Sequence, residues 1–256
     1  MRYALLALAL ALPAIPAAAQ APDQSRFAVW AGPLNVMVIT ATMDVQPDRY
    51  AVRIDYHTAG AFGLLVHSQM DTTASGRFVN GRAVPTQFFA AGHLRGALRV
   101  MQIDYPAGEP VIRQLVPLDD HRDPVPPAEQ QGTIDTLSAM AQLVRQVNET
   151  GRCEGRINTF DGRRIALLEA STAGIQDLPR DSRSVFSGPA LRCDVVGHVL
   201  AGFKRDADYA EMHRPQIGSA WFARLAPGGP MTLVRAAFKT PFFGQATLYL
   251  EPPATH

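Results

Sequence analysis

Seven histidines are the first residues to weigh for chemistry: His57, His67, His93, His121, His198, His213 and His256. None stands in H-E-x-x-H, H-x-H or another compact spacing that would bring imidazoles onto one metal ion. His57 and His67 can approach across a hairpin, an arrangement still one ligand short of a metal site; the alternative is two ordinary strand histidines. Nucleophilic catalysis finds no G-x-S-x-G elbow. Ser187-Gly188 falls in a polar stretch, and Ser68 adjoins His67 on one strand, where neighbours point to opposite faces. Carboxylates pair at Asp119-Asp120 and at Asp206 with Asp208, both in charged connections where solvation accounts for them. The glycine-rich stretches read as turns, without the strand-to-helix context of a phosphate loop. The pattern assigns no catalytic residue, no metal ligand and no cofactor.

Arginine is the one concentration of charge. Arg152, Arg156, Arg163 and Arg164 fall within thirteen positions, and Lys204 and Lys239 are the only lysines in the chain. On paired strands Arg156 and Arg163 or Arg164 can share a face and hold an anionic headgroup or glycan bidentately. The competing reading is a solvated hairpin tip. A formal net charge of +1 gives no global attraction to nucleic acid, which is excluded as a partner.

The elements that would position these groups radiate from residues 133–164. Leu137, Met140, Ala141, Val144 and Val147 recur at helical spacing, so a helix is expected from about Ile134 to Asn148. Asp135 or Thr133 can cap it, and Gly151 stands where it stops. Met140 and Val144 are expected to pack on a sheet, with Gln142 and Arg145 outward. Cys153 follows, and its only intrachain partner is Cys193. Two lone cysteines in an exported chain read as a disulfide.

Strands fill the rest. Arg26–Trp30 and Leu34–Met43 flank Gly32-Pro33. Tyr50, Val52, Ile54 and Tyr56 alternate with polar neighbours. Phe62–Met70 repeats that alternation after Gly60, so a hairpin is expected there. Asn80-Gly81 and Asp161-Gly162 mark two further hairpins. Leu94–Tyr105 reads as one strand, Val111–Val116 as a short one, residues 174–188 as a loop, and 204–214 as a turn of helix or a loop. Three strands, 219–225, 231–239 and 243–251, close the chain. The fold class expected is mainly β: a strongly curved antiparallel sheet or partly open β-barrel around one α-helix, with one disulfide.

The N-terminus has the marks of a signal peptide. Arg2 precedes an apolar run from Tyr3 to Leu12, and Ala17-Ala18-Ala19 offers a cleavage site. The expectation is a leader at residues 1–19, cleaved near Ala19, and a single periplasmic domain at 20–256. No later stretch is apolar and long enough for a transmembrane helix.

Several short motifs occur in an order that resembles a known family. Gly81-Arg82-Ala83-Val84-Pro85 with Phe88 follows the strand region begun near Tyr50. Asp135-Thr136-Leu137-Ser138 opens the helix, Phe160-Asp161-Gly162-Arg163-Arg164 makes a turn, and Ser187-Gly188-Pro189-Ala190-Leu191-Arg192-Cys193 leads to Gly202-Phe203. Together they resemble a domain-of-unknown-function family of exported Gram-negative periplasmic proteins. By architecture alone the chain is also similar, in part, to Lol-type lipoprotein carriers, whose curved sheet wraps around helices. The resemblance implies no established chemistry. Two functions are expected: a non-catalytic envelope protein binding a lipid, another apolar ligand or an envelope protein in a sheet cavity and supporting envelope integrity, or a hydrolase acting on envelope material. A filled sheet interior would leave no ligand cavity.

Overall fold

The structure, a computed structural model, describes residues 23–118, 121–240 and 244–252. The leader expected at 1–19, the pair Asp119-Asp120, Phe243 and His256 lie outside them.

Seven strands lead: β1 (Asp23–Ala31), β2 (Leu34–Val45), β3 (Arg49–Thr58), β4 (Gln69–Val79), β5 (Arg82–Leu94), β6 (Ala97–Asp104) and β7 (Val111–Val116). A short helix α1 (Gly60–Leu65) joins β3 to β4, and α2 (Pro127–Gln130) precedes the long helix α3 (Thr136–Thr150). Six more strands follow: β8 (Gly155–Phe160), β9 (Ile165–Leu178), β10 (Gly188–Ala201), β11 (Gln216–Arg224), β12 (Met231–Thr240) and β13 (Gly244–Leu250), with α4 (Tyr209–Met212) between β10 and β11.

All thirteen strands form one antiparallel sheet in the order β7-β6-β5-β4-β3-β2-β1-β13-β12-β11-β10-β9-β8. Two meanders are thus joined where β1 pairs with β13, Phe27 opposite Leu250 and Ala31 opposite Ala246. The sheet has to curl. Helix α3 touches β2 to β5 and also β12 and β8, and β5 and β8 stand ten places apart in the strand order. Laid flat at ~4.8 Å per strand they would be about 48 Å apart, whereas a helix of 15 residues is only ~22 Å long. The outer edges approach without pairing. Met101 and Ile103 of β6 share a buried cluster with Phe160 and Ile165 of the β8–β9 hairpin, and a Cβ on Gly162 would collide with the Met101 thioether. The sheet is therefore barrel-like but not closed, as the alternation of apolar residues leads one to expect.

A meander has two ends. The β1–β2 turn, α1 and the β5–β6 turn share one; the β2–β3, β4–β5 and β11–β12 turns share the other. Helix α3 is anchored at the second end. Tyr50 at the start of β3 donates its hydroxyl to Ser138 Oγ at 2.7 Å. The amide of Ala83 at the start of β5 donates to Gln142 Oε1 at 2.8 Å. Asn148 Oδ1 accepts from the Met231 amide at 2.7 Å, and its Nδ2 donates to the Met231 carbonyl at 3.2 Å.

The helix begins and ends as its sequence dictates. Asp135 accepts from the Ser138 amide as N-cap, and Gly151 takes the left-handed conformation at φ +66°. Cys153 and Cys193 are fully buried and joined, with Cα atoms 5.8 Å apart. The bridge holds the segment behind the helix to β10.

Four expectations need correction. Of residues 62–70 only Gln69 and Met70, which open β4, form strand, because Gly60 at φ +58° and Gly63 let a helical turn settle on β2 before them. A Cβ on Gly60 would lie 2.7 Å from the Asn35 carbonyl oxygen, so the alternation of Phe62, Leu64 and Val66 is accidental. Leu94–Tyr105 is not one strand. Arg95 and Gly96, both at positive φ, turn the chain between β5 and β6. The stretch 174–188 is only partly loop: β9 continues to Leu178, which pairs with Gly188. Polar Gln176 belongs on this strand because its Oε1 accepts from Trp221 Nε1 at 2.9 Å. Finally, the helix buries Leu137, Ser138, Ala139, Ala141 and Val147, while Met140 and Val144 are half-buried. Gln142 and Arg145 point inward of the surface, Arg145 stacking over the Phe78 ring at 4.5 Å, because the curled sheet meets more than one face of the helix.

Candidate functional site

Between α3 and the inner face of the sheet runs a groove of about 640 Å³. Its sheet wall is Phe27 of β1, Ile39, Ala41 and Met43 of β2, Ile54 of β3, Ala220 and Phe222 of β11, Leu233 and Ala236 of β12 and Leu248 of β13. Met140, Leu143 and Val144 form the helix wall. The register explains why these side chains converge. Ile39 lies opposite Phe27, and Ala236 opposite both Leu248 and Ala220, so the inward positions of neighbouring strands stand side by side. It also explains why the space is not filled. Three of these positions, Ala41, Ala220 and Ala236, carry a methyl group where a larger residue would reach the helix. A second cleft of about 380 Å³ lies on the other flank of α3, against Ile157, Leu168, Ala170 and Val195.

Polar groups gather at one end of the groove. Asp44 near the end of β2, Gln46 of the β2–β3 turn, Thr232 near the start of β12, and Arg145, Asn148 and Glu149 of the helix rim it, with Pro47 and Pro230 beside them. Several are already engaged: Gln46 Nε2 donates to Asp44 at 2.6 Å, and Arg145 Nε to Glu149 at 2.6 Å. The groove is thus mainly apolar along its length, with Ser25 of β1 the one hydroxyl on its sheet wall, and polar at its second-end rim.

Beneath the helix N-terminus lies a different cluster. Ser138 Oγ donates to Asp135 Oδ2 at 2.5 Å and accepts from Tyr50. Burial pushes the Asp135 carboxyl up to about 6, against the lowering effect of the Ser138 hydrogen bonds. Tyr50 and Tyr105 are both raised above the ordinary phenol range, first by burial; the Asp135 charge adds to this in each. A serine and an acid do meet here, but Ser138 and Asp135 are fully buried and their third partner is a phenol, not an imidazole. The arrangement fixes the helix start rather than presenting a nucleophile.

The residues singled out from sequence disperse. Among the described residues no group of three His, Cys, Asp or Glu could hold a metal ion. His57 stands opposite Gln69, not His67. Ser68 is buried, and its Oγ accepts from the Arg95 amide at 2.9 Å. Asp208 caps α4 through the Glu211 amide. Arg163 and Arg164 meet in the β8–β9 turn, where both amides and Arg164 Nε donate to Asp161, and Arg163 also reaches the Pro117 carbonyl. Arg156 lies at the far end of that hairpin beside Glu169, 3.2 Å away. The hairpin does not gather the three onto one tip, and an internal carboxylate stands beside Arg156 and another beside Arg164.

With this geometry in view, residues 26–251 match the family described as a protein of unknown function, DUF3108. The chain belongs to the DUF3108 family. The ordered motifs from Gly81 to Phe203 resembled a family of unknown function, and the match spans all of them. No curated protein matches this DUF3108 chain. Among solved structures it is similar to the crystal structure of a beta-barrel-like protein of domain of unknown function DUF1849 from Brucella abortus, at 11% identity and a TM-score of 0.47, with 91% of this chain and 99% of that chain covered. Among the described residues no helix is long and apolar enough to cross a membrane.

The groove is the feature that sequence reasoning only framed as one of two outcomes. The signal for it was present in the alanines at alternate inward positions, Ala41 and Ala220 among them, but reading it needs the strand register.

Proposed function

We propose that this DUF3108 protein is a non-catalytic periplasmic protein of the cell envelope that holds an acyl chain in the groove beside α3 and so supports envelope integrity. The observation that carries the reading is the groove itself. Its volume, about 640 Å³, falls within the roughly 300–1,000 Å³ of small-molecule sites. Its sheet and helix walls are apolar apart from the Ser25 hydroxyl on β1, and its polar rim lies at one end. An amphiphile with a single apolar tail fits that distribution. The apolar run from Tyr3 to Leu12 and the small residues at 17–19 support export, and the disulfide between Cys153 and Cys193 suits an oxidising compartment.

The test is gentle purification from a native envelope, native mass spectrometry with lipid extraction, and titration with a fluorescent fatty acid. Retained lipid and saturable fatty-acid binding are expected. Ala41→Phe and Ala236→Phe, each adding a ring inside the groove, should abolish binding while leaving the protein folded. Protein that is reproducibly free of lipid and does not bind the fatty acid overturns the reading.

A further inference from the structure

One acyl chain in the groove leaves the cleft on the other flank of α3 without an occupant. The two spaces are not independent. Met140 and Leu143 line both of them, and so do Arg145 and Glu149. Helix α3 is therefore a partition with an apolar arm on either side, and the Arg145–Glu149 ion pair borders both arms. Gly81 of the β4–β5 turn also lines the cleft, so the cleft reaches the same second end at which the groove has its polar rim.

The cleft is built as the groove is. Ile157 lies opposite Leu168, and Ala170 lies opposite both Gly155 and Val195, so alternate positions of β8, β9 and β10 turn one face toward the helix. Gly155 and Ala170 leave the space open there, as Ala41 and Ala236 do in the groove. Apart from Thr136, the polar side chains around the cleft are already engaged. Gln142 accepts from the Ala83 amide. Gln146 donates to the Glu154 carbonyl at 2.9 Å and accepts from its amide at 2.8 Å. Thr150 donates to the Gln146 carbonyl at 2.7 Å, and the Glu154 carboxylate pairs with Arg152. What remains for an occupant is chiefly the apolar wall.

We infer that the ligand carries two acyl chains, one in the groove and the second in the cleft across Met140 and Leu143, with its headgroup beside Arg145 and Glu149. This rests on the acyl-chain reading of the groove and extends it from one chain to two. The cleft's volume, about 380 Å³, also falls within the roughly 300–1,000 Å³ of small-molecule sites. Two apolar arms bordered by one polar pair match the shape of a diacyl amphiphile, whose tails diverge from a single head.

Isothermal titration calorimetry on the full mature chain tests it, with dioctanoyl-phosphatidylglycerol and its mono-octanoyl lyso form, each below its critical micelle concentration. The parent should bind the two-chain probe more tightly by about tenfold or more, a gain that requires burial of only about two further methylene groups. Ala170→Phe adds a ring inside the cleft and should remove that advantage while leaving the lyso form bound as in the parent. Val195→Phe fills the same space from β10 and should do likewise. Both variants should keep the parent's circular dichroism. Ala41→Phe, in the groove alone, should abolish binding of both probes. Equal affinity of the parent for the two probes overturns the two-chain inference and leaves the single-chain reading in place. So does a two-chain advantage that survives in folded Ala170→Phe or Val195→Phe. A parent that binds neither probe nor the fluorescent fatty acid overturns both.

Discussion

Asp135→Asn isolates the energetic cost of the buried carboxylate under the helix. In the folded protein burial pushes the Asp135 pKa up to about 6, against an unfolded value of about 3.9. The folded state therefore binds more protons than the unfolded state between about pH 4 and pH 6, and stability must fall as pH rises through that window. The neutral acid's full contribution is present below about pH 4 and is lost above the folded pKa. Two pH units at about 1.4 kcal/mol each give a loss of roughly 3 kcal/mol. Asparagine has the same shape, cannot ionise, and keeps an oxygen to accept from the Ser138 amide, now 2.8 Å from Asp135 Oδ1. The quantity to measure is the difference in unfolding free energy between variant and parent, by urea denaturation from pH 4 to pH 7.5. Other carboxylates, such as Asp104 held low by Arg113, titrate in both proteins and cancel. The difference should move in the variant's favour by about 3 kcal/mol across the window. A difference independent of pH would refute the reasoning, because Asp135 would then titrate alike in the folded and unfolded chain.

Three further changes probe the scaffold. Replacing Cys153 and Cys193 together by Ser releases a loop whose ends are 40 residues apart and should cost about 4 kcal/mol in the chain-entropy account, read as a lower thermal midpoint and faster proteolysis of residues 153–193. Asn148→Leu strands the amide and carbonyl of Met231; a loss of about 2 kcal/mol is expected, and an unchanged denaturation midpoint would show that the helix C-terminus needs no latch to β12. Val144→Asp places a carboxylate in the groove rather than in a sealed core, so its stability cost should stay near 1 kcal/mol while fatty-acid binding disappears; a much larger destabilisation would mean the groove is closed to water.

The sequence announces whatever depends on neighbours in the chain. The Asp135 cap, the Gly151 stop, the Asn80-Gly81 hairpin and the alternation from Tyr50 to Tyr56 are local, and each forms as its residues dictate. The pairing of Cys153 with Cys193 was legible because there was no third cysteine. What stayed hidden depends on curvature. The inward turn of Gln142 and Arg145 follows from a sheet that curls far enough to meet two sides of α3. The strand character of Gln176 needs Trp221 from β11, and the helical turn at Gly60 needs the Asn35 carbonyl of β2. The groove is further still from the sequence, since it is the space left where Ala41, Ala220 and Ala236 face the same helix.

The pairing of β1 with β13 also bears on how the chain acquires its structure. Each meander on either side of that seam is built from successive hairpins, whereas the seam itself joins Arg26 to Glu251 across 225 residues. Closing so long a loop is entropically unfavourable until both partners are formed. The two meanders are therefore expected to fold as separate cooperative units and to zip together along β1 and β13 last. Pulse-labelled hydrogen exchange should find amides of the β3–β5 and β9–β11 hairpins protected before those shared between Phe27 and Leu250. Simultaneous protection of all of them would mean that the sheet condenses as one body. If the order holds, the strand pair at the centre of the finished sheet is the youngest part of it.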